Sequence, residues 1–310
     1  MGSLRGLQGR WLNAADMILI TGSAGKTGRS VLQALVSRDI PVRALVHYAD
    51  QVQGIEALGA EQVLVGDMRS PEDICPAVLG VQGIYHIPPN MSPHELSIGQ
   101  NVITAARTAG VEHFVYHSVL KPQVQAMPHH WNKMLVEEQL IESRLPYTIL
   151  QPAAYMQNLL AYWDSIQDEG IFPVPYPAET RLCLVDLADV AQAAAVVLTE
   201  AGHKYAIYEL VGTNSMSQSE LADLLSQELQ HPVKVSSVPL DQWAHQARGA
   251  GLGEYQLETL VKMFNYYKDY GFEGNSKVLA WLLGRPPGSL QEFIHRNRES
   301  KQTTGKIPVT

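Results

Sequence analysis

The stretch Ile20–Gly28, reading ITGSAGKTG, carries two overlapping phosphate-binding patterns. Gly25-Lys26-Thr27 matches the end of a P-loop, G-x-x-x-x-G-K-[ST]. That pattern needs a glycine five positions before Gly25, where the chain has Ile20, a β-branched residue in an apolar run. Gly22, Gly25 and Gly28 instead fit G-x-x-G-x-x-G, the dinucleotide spacing. The flanks agree with this second pattern. Met17-Ile18-Leu19-Ile20 is a run of strand length, and Val31, Leu32, Leu35 and Val36 recur at helical spacing from Arg29 to Val36. A strand, a glycine turn and a helix together present free backbone N–H groups and a partial positive charge to a pyrophosphate. A plain strand-to-helix turn would use the same glycines, and the context favours the dinucleotide.

A second set of reactive side chains is His129-His130-Trp131-Asn132-Lys133. His129 and Lys133 lie four apart and share a face if a helix begins this early. A lysine beside a nicotinamide ribose would hold its hydroxyls and lower the pKa of a nearby acid. A histidine exchanges protons near neutral pH. The same pair would also serve as a surface or cap feature of a loop-to-helix junction.

These groups need a scaffold, and the apolar pattern supplies one. Strands are expected at 17–20, 42–46, 61–65, 83–87, 113–117 and 147–150. Helices are expected between them at 29–36, 51–58, from Pro71, at 98–109 and at 131–143. Such alternation means an α/β fold, a Rossmann-type doubly wound parallel sheet with right-handed crossovers. The second half reads as a smaller α/β lobe. It has a proline-rich loop at 172–177, strands at 181–185, 207–211 and 233–238, and an alanine-rich helix at 186–198. A further helix at 217–229 opens on a Ser217/Glu220 capping box, and 240–281 is mostly helical. The expected organisation is a leader at 1–16, a dinucleotide domain at 17–152, an interleaved substrate-covering lobe at 153–296 and a polar tail at 297–310.

Ligands of such sheets bind beyond the carboxyl ends of the strands, so the residues there are the next candidates. His47 ends the second strand, where an NAD site usually has an acid; Asp50 follows three residues later. The missing acid, with Lys26 and Arg29 near in sequence, favours NADP(H) over NAD(H). Asp67, with Met68, follows the third strand, suited either to the adenine amino group or to capping the helix at Pro71. The cofactor set is Gly22, Ser23, Ala24, Gly25, Lys26, Thr27, Gly28, His47, Asp67, Met68, Ile87, Pro88, Ser118, Lys133 and Ala153. The substrate set is Val119, Leu120, His129, Tyr155, Met156 and Asn158, with Phe264, Tyr266 and Tyr267 as further walls of an apolar slot; simple core packing is the alternative for each aromatic.

Composition narrows the classes. The 310 residues carry a net charge of −8 and form no extended basic stretch, which argues against a nucleic-acid face. Two cysteines, Cys75 and Cys183, form no C-x-x-C pattern, so no metal site or disulfide framework is expected, and Cys183 reads as a small buried hydrophobe. No apolar run is long enough for a membrane span, and the first sixteen residues lack a signal-peptide core. The cytoplasm is the expected compartment.

The chain resembles the NmrA-like family of atypical short-chain dehydrogenases/reductases. The likeness rests on T-G-x-x-G-x-x-G at 21–28, Gly66-Asp67, His117-Ser118-Val119, His129-x-x-x-Lys133, the run Leu145–Asn158 (LPYTILQPAAYMQN) and Val185–Ala191 (VDLADVA). It spans roughly residues 17 to 290, and within the family it is nearer to quinone- and triphenylmethane-dye-reducing members. The resemblance implies a Rossmann domain with a small C-terminal lobe, the three glycines on the pyrophosphate and Asp67 at the adenine. It also places Lys133 as the lysine of a Tyr-x-x-x-Lys pair whose tyrosine position is His129 here. Loss of that phenol argues against ordinary ketone reduction, and His47 stands where the family carries arginine. The function implied is hydride delivery to a quinone, dye or similar conjugated small molecule, in a candidate homodimer. The alternatives are an NAD(P)-sensing regulator that binds a protein partner, and a non-redox catalyst such as an epimerase or lyase.

Overall fold

In the computed structural model, residues 17–298 are described. The expected leader at 1–16 and the tail from 299 lie outside them. The strands are β1 (Ile18–Ile20), β2 (Val42–Val46), β3 (Gln62–Val65), β4 (Gly83–His86), β5 (His113–His117), β6 (Tyr147–Pro152), β7 (Ala154–Tyr155), β8 (Ile171–Val174), β9 (Arg181–Leu182), β10 (Leu184–Val185), β11 (Ala206–Leu210), β12 (Met216–Ser217) and β13 (Lys234–Ser237). The helices are α1 (Lys26–Val36), α2 (Val52–Glu56), α3 (Pro71–Val78), α4 (Glu95–Ala109), α5 (Pro128–Glu142), α6 (Leu187–Thr199), α7 (Gln218–Leu229), α8 (Leu240–Gly249), α9 (Glu254–Tyr270), α10 (Lys277–Leu283) and α11 (Leu290–Asn297).

Seven strands form one sheet in the order β11-β6-β5-β4-β1-β2-β3. Every pairing in it is parallel. The strand order reverses between β1 and β4, and the crevice above that point is where such sheets bind ligands. Two apolar cores cover the two faces. One joins β1 and β2 to α1 and α6 around Val31, Leu35 and Ala193–Ala195. The other joins β4 and β5 to α3, α4 and α5 around Ile74, Val102 and Leu140. Alanines along α6 let it pack closely on α1, so their small volume positions the helix that carries the glycine loop.

The second half contributes to both layers. Its β11 closes the edge of the main sheet, while α7, α11 and β8 pack around Trp163 and Phe293 as a separate core. The sheet therefore does not end at residue 152, and the lobe is interleaved with it. Asp186 and Asp189 fasten this junction. Asp186 caps α6 through Ala188 N–H and pairs with Arg296, while Asp189 pairs with Arg285 at 2.7 Å.

Several boundaries differ from the sequence reading. α1 begins at Lys26, directly after Gly25, because the glycine turn hands over to the helix without a spacer. α4 begins at Glu95, not 98, and α5 at Pro128, which fills a first-turn position that needs no N–H. Phe172-Pro173-Val174 lies in β8, paired to β13, rather than in a loop. The segment 240–281 is three helices, broken around Gly251 and Gly271, both at positive φ. α11 extends through Asn297, whose carbonyl accepts from Trp163 Nε1–H at 3.1 Å, so 297 is anchored rather than part of a loose tail. The Ser217/Glu220 capping box is present, and Cys183 is fully buried.

Candidate active site

The glycine loop is built by two close approaches. Gly22 has φ +62°, and a Cβ there would sit 2.8 Å from the Ile87 carbonyl oxygen. A Cβ on Gly28 would stand 2.4 Å from the Gly22 oxygen, so this helical glycine lets the loop fold onto α1. Gly25 is different. Its φ is −73° and a Cβ would meet nothing nearer than 3.4 Å. The chain itself does not require glycine at 25, and its open side faces the crevice. No side chain caps α1 at this end, leaving first-turn N–H groups for an anion.

One continuous cavity of about 810 Å³ runs from this loop across the strand ends into the lobe. That volume lies within the range of small-molecule sites. Of the residues singled out above, Gly22, Ala24–Gly28, His47, Asp67, Met68, Ile87, Pro88, Ser118, Val119, His129, Lys133, Ala153, Tyr155 and Asn158 line it. Ser23, Leu120 and Met156 do not. Ser23 is buried, with its hydroxyl donating to the Leu45 carbonyl at 2.8 Å. Leu120 and Met156 are fully buried in the apolar cores. Both side chains are wholly taken up by core packing, which corrects their assignment to the substrate. Phe264 and Tyr267 line the cavity, while Tyr266 packs against Tyr270 outside it.

Lys26, His47, Asp67 and Arg69 all line the cavity, and the Asp67 carboxylate lies near Arg69 and His47. Arg69 grips both Asp67 oxygens at 2.6–3.1 Å. That guanidinium holds the Asp67 carboxyl down to about 2, so it stays ionised. Asp67 does not cap the helix at Pro71, a role taken by Ser70. Arg69 was not singled out from sequence. It puts a guanidinium on the cavity wall, paired with the Asp67 carboxylate.

Mid-cavity, α5 presents His129 and Lys133. Lys133 Nζ lies 2.6 Å from Glu95 Oε1 on α4, and the Tyr116 hydroxyl donates to the same oxygen at 3.2 Å. Glu95 is 1% exposed. It forms the buried anchor that fixes Lys133, and it escaped the sequence reading because α4 was begun too late. Glu95, Ile98, Val102 and Ala106 share one helical stripe, a carboxylate on a core face that would have marked it. His129 is neutral in this setting. Burial, then His130 and the Lys133 cation, push it down to about 2. It cannot arrive as an imidazolium acid, which revises the proton-donor reading.

Beyond Lys133, Tyr155 enters from β7. Its hydroxyl lies 2.7 Å from His117 Nε2, whose Nδ1 lies 2.7 Å from the Tyr85 hydroxyl. Thr27 on the glycine loop donates to Tyr155 at 3.4 Å. Burial raises the Tyr155 phenol pKa and holds His117 at about 3, so the phenol keeps its proton and the imidazole is neutral. The lobe then closes the cavity with Tyr162, Tyr176, Trp243, Phe264 and Tyr267. Trp243 and Phe264 meet edge-to-face at 4.8 Å. No charged side chain of the lobe lines this slot. Among the described residues no cluster of metal-ligating side chains occurs, and no helix is long and apolar enough to cross a membrane.

Known proteins agree with this architecture. Over 279 residues the chain is 30% identical to an NAD(P)H azoreductase of Xenophilus azovorans, covering 89% of this chain and 96% of that protein. It superposes on the Escherichia coli NADPH-dependent quinone oxidoreductase QOR2 in complex with NADPH with a TM-score of 0.81. That match has 26% identity and covers 91% of this chain and all of the other. The triphenylmethane reductase of Citrobacter sp. complexed with NADP(H) matches with a TM-score of 0.80 at 25% identity, over 90% of this chain and 99% of that one. The NmrA-like family model matches residues 14–294, so the chain belongs to the NmrA-like family.

Proposed function

We propose that this chain is an NAD(P)H-dependent oxidoreductase that prefers NADPH and reduces a flat, conjugated small molecule of quinone, azo or dye type. The carrying observation is the single cavity that joins a glycine loop to an aromatic slot through Ser118, Lys133 and Tyr155. The relatives named for azo, quinone and triphenylmethane reduction, two of them solved with NADPH or NADP(H), support the reading.

When bound, the dinucleotide supplies a hydride. The chain's own residues do the rest. The N-terminus of α1, opened by Gly25, seats the pyrophosphate, and Lys26, His47 and Arg69 draw the 2′-phosphate to the mouth. Lys133, fixed by Glu95, holds ribose hydroxyls. Tyr155 orients the acceptor with a hydroxyl locked by His117 and Thr27. Trp243, Phe264 and Tyr176 exclude water and stack on the acceptor's rings. A conjugated acceptor spreads the incoming charge, so the absent phenol at position 129 is not needed, and positioning supplies a large share of the rate.

The test is calorimetric titration with NADPH, NADH and ATP, followed by absorbance at the nicotinamide band with a panel of quinones, azo dyes and cationic dyes. NADPH binding with acceptor-dependent oxidation is expected. Binding without turnover on any acceptor would favour a cofactor-sensing regulator. The open slot weighs against that reading, since a sensor has no need of it.

A further inference from the structure

Behind the cavity wall lies a second carboxylate that the proposed function does not use. Glu137 sits on α5 one turn after Lys133 and is 2% exposed. Its Oε1 and the Ser118 hydroxyl share a short hydrogen bond whose proton can sit on either oxygen. Gln151 Nε2 donates to both oxygens at 3.0 and 3.1 Å. Ser118 follows β5 and lines the cavity, so the serine hydroxyl joins the cage to the cavity.

The charges around this cage leave Glu137 without a counter-ion in contact. Lys133 is the nearby cation on its own helix, and its Nζ is taken by Glu95 of α4. From β5, the Tyr116 phenol bonds Glu95 as well. From β6, Gln151 offers neutral N–H groups. Burial pushes the Glu137 carboxyl up, and Ser118, Gln151 and Lys133 only partly offset it. Buried beside a cavity, without a paired cation and hydrogen-bonded to a serine hydroxyl, a carboxyl can store a proton.

We propose that Glu137 holds a proton at neutral pH and passes it through the Ser118 hydroxyl to the oxygen of a quinone-type acceptor as that acceptor is reduced. This rests on the reductase reading. The acceptor takes two electrons and one hydrogen from the reduced dinucleotide. The Ser118 Oγ–H bond breaks as an O–H bond forms on the acceptor. The Glu137 Oε–H bond breaks as the serine hydroxyl is restored. The carboxylate left behind is held by Gln151 and by the field of Lys133. Water entering after product leaves returns the proton by the same path. Glu137 is thus a positioning residue that acts through Ser118.

Acceptor chemistry separates this route from a structural role. A quinone needs hydride and proton, whereas a cationic triphenylmethane dye takes hydride alone at its central carbon. Glu137→Gln keeps the cage, since an amide N–H can donate to Ser118 and its oxygen can accept from Gln151, but it cannot deliver a proton. Infrared difference spectra of the dinucleotide-free protein between H2O and D2O at pH 7 should show a protonated carboxyl band that is absent from E137Q. E137Q should lower the ratio of kcat for menadione to kcat for malachite green by roughly 10- to 100-fold, the scale of general acid catalysis. It should also flatten the alkaline fall of menadione kcat. A missing band, an unchanged ratio or an equal fall on both acceptors would overturn the proton route while leaving the reductase intact. A wild-type protein inactive on every quinone and dye would instead sink the reductase reading, and the proton route with it.

Discussion

Gly25→Asp should push stability and cofactor binding in opposite directions. At 25 the backbone has φ −73°, open to any L-residue, and a Cβ meets no atom nearer than 3.4 Å. The position is the N-cap of α1 and has no side-chain cap, so an aspartate there would accept from a first-turn N–H and complement the helix dipole. Losing glycine's freedom in the unfolded chain adds to this, for a net gain of about 0.5–1 kcal/mol. Tm should rise by about 1–3 °C in a chain of this size. The bound pyrophosphate would meet the new carboxylate at ~5 Å, and two unit charges at an effective dielectric of about 20 repel by about 3 kcal/mol. NADPH affinity should therefore fall roughly 100-fold or more. The assays are thermal unfolding without cofactor and calorimetric NADPH titration. Unchanged affinity would remove the pyrophosphate from this loop, and a clear drop in Tm would contradict the loop geometry. Gly28→Ala is the contrast, since its Cβ would lie 2.4 Å from the Gly22 oxygen and both stability and binding should fall together.

Lys133→Met strands the buried Glu95 carboxylate on Tyr116 alone, and urea unfolding should show a loss of about 2–4 kcal/mol. The double variant E95Q/K133M should lose less than the sum of the single changes, and strict additivity would deny the pair. Arg69→Ala should raise the Kd for NADPH roughly ten-fold while leaving that for NADH unchanged, because only the former carries the 2′-phosphate; equal changes would remove Arg69 from that role. Acid should destabilise the fold early. Burial holds His113 and His130 at about 4, His86 and His117 at about 3 and His129 at about 2. The unfolded histidines titrate near 6.5, so their contribution is complete above that pH and is lost as pH falls toward the folded values. Each contributes a slope of up to about 1.4 kcal/mol per pH unit. Urea midpoints at pH 7, 6 and 5 should drop progressively, and a flat profile would mean the rings are solvated.

Local pattern made part of this molecule legible. Gly22, Gly25 and Gly28 fall within seven residues, and their strand and helix flank them directly. The strand-end rule likewise led to Asp67 and Ser118, which line the cavity. The readings at Leu120 and Met156 failed because the cores on either side of the cavity claim both side chains, a tertiary outcome. The contacts that tune the site were not legible, because they are tertiary. Glu95 meets Lys133 across 38 positions, His117 meets Tyr155 across 38, and Gln151 reaches Glu137 of α5 from β6. Their partners follow from how α4 and α5 cross the sheet. The neutrality of His129 is of the same kind, since its residue type suggests a proton carrier and only burial removes the charge.

The central step of the proposed reaction is one transfer: hydrogen passing from the nicotinamide straight to an acceptor held in the aromatic slot. NADPH carrying deuterium at C4, prepared as each of its two stereoisomers, would be incubated with the protein and malachite green, and the leuco product analysed by mass spectrometry. The prediction is that one stereoisomer alone delivers its deuterium to the central carbon of the dye. Leuco product with hydrogen from solvent, or no product at all, would contradict direct transfer across this cavity.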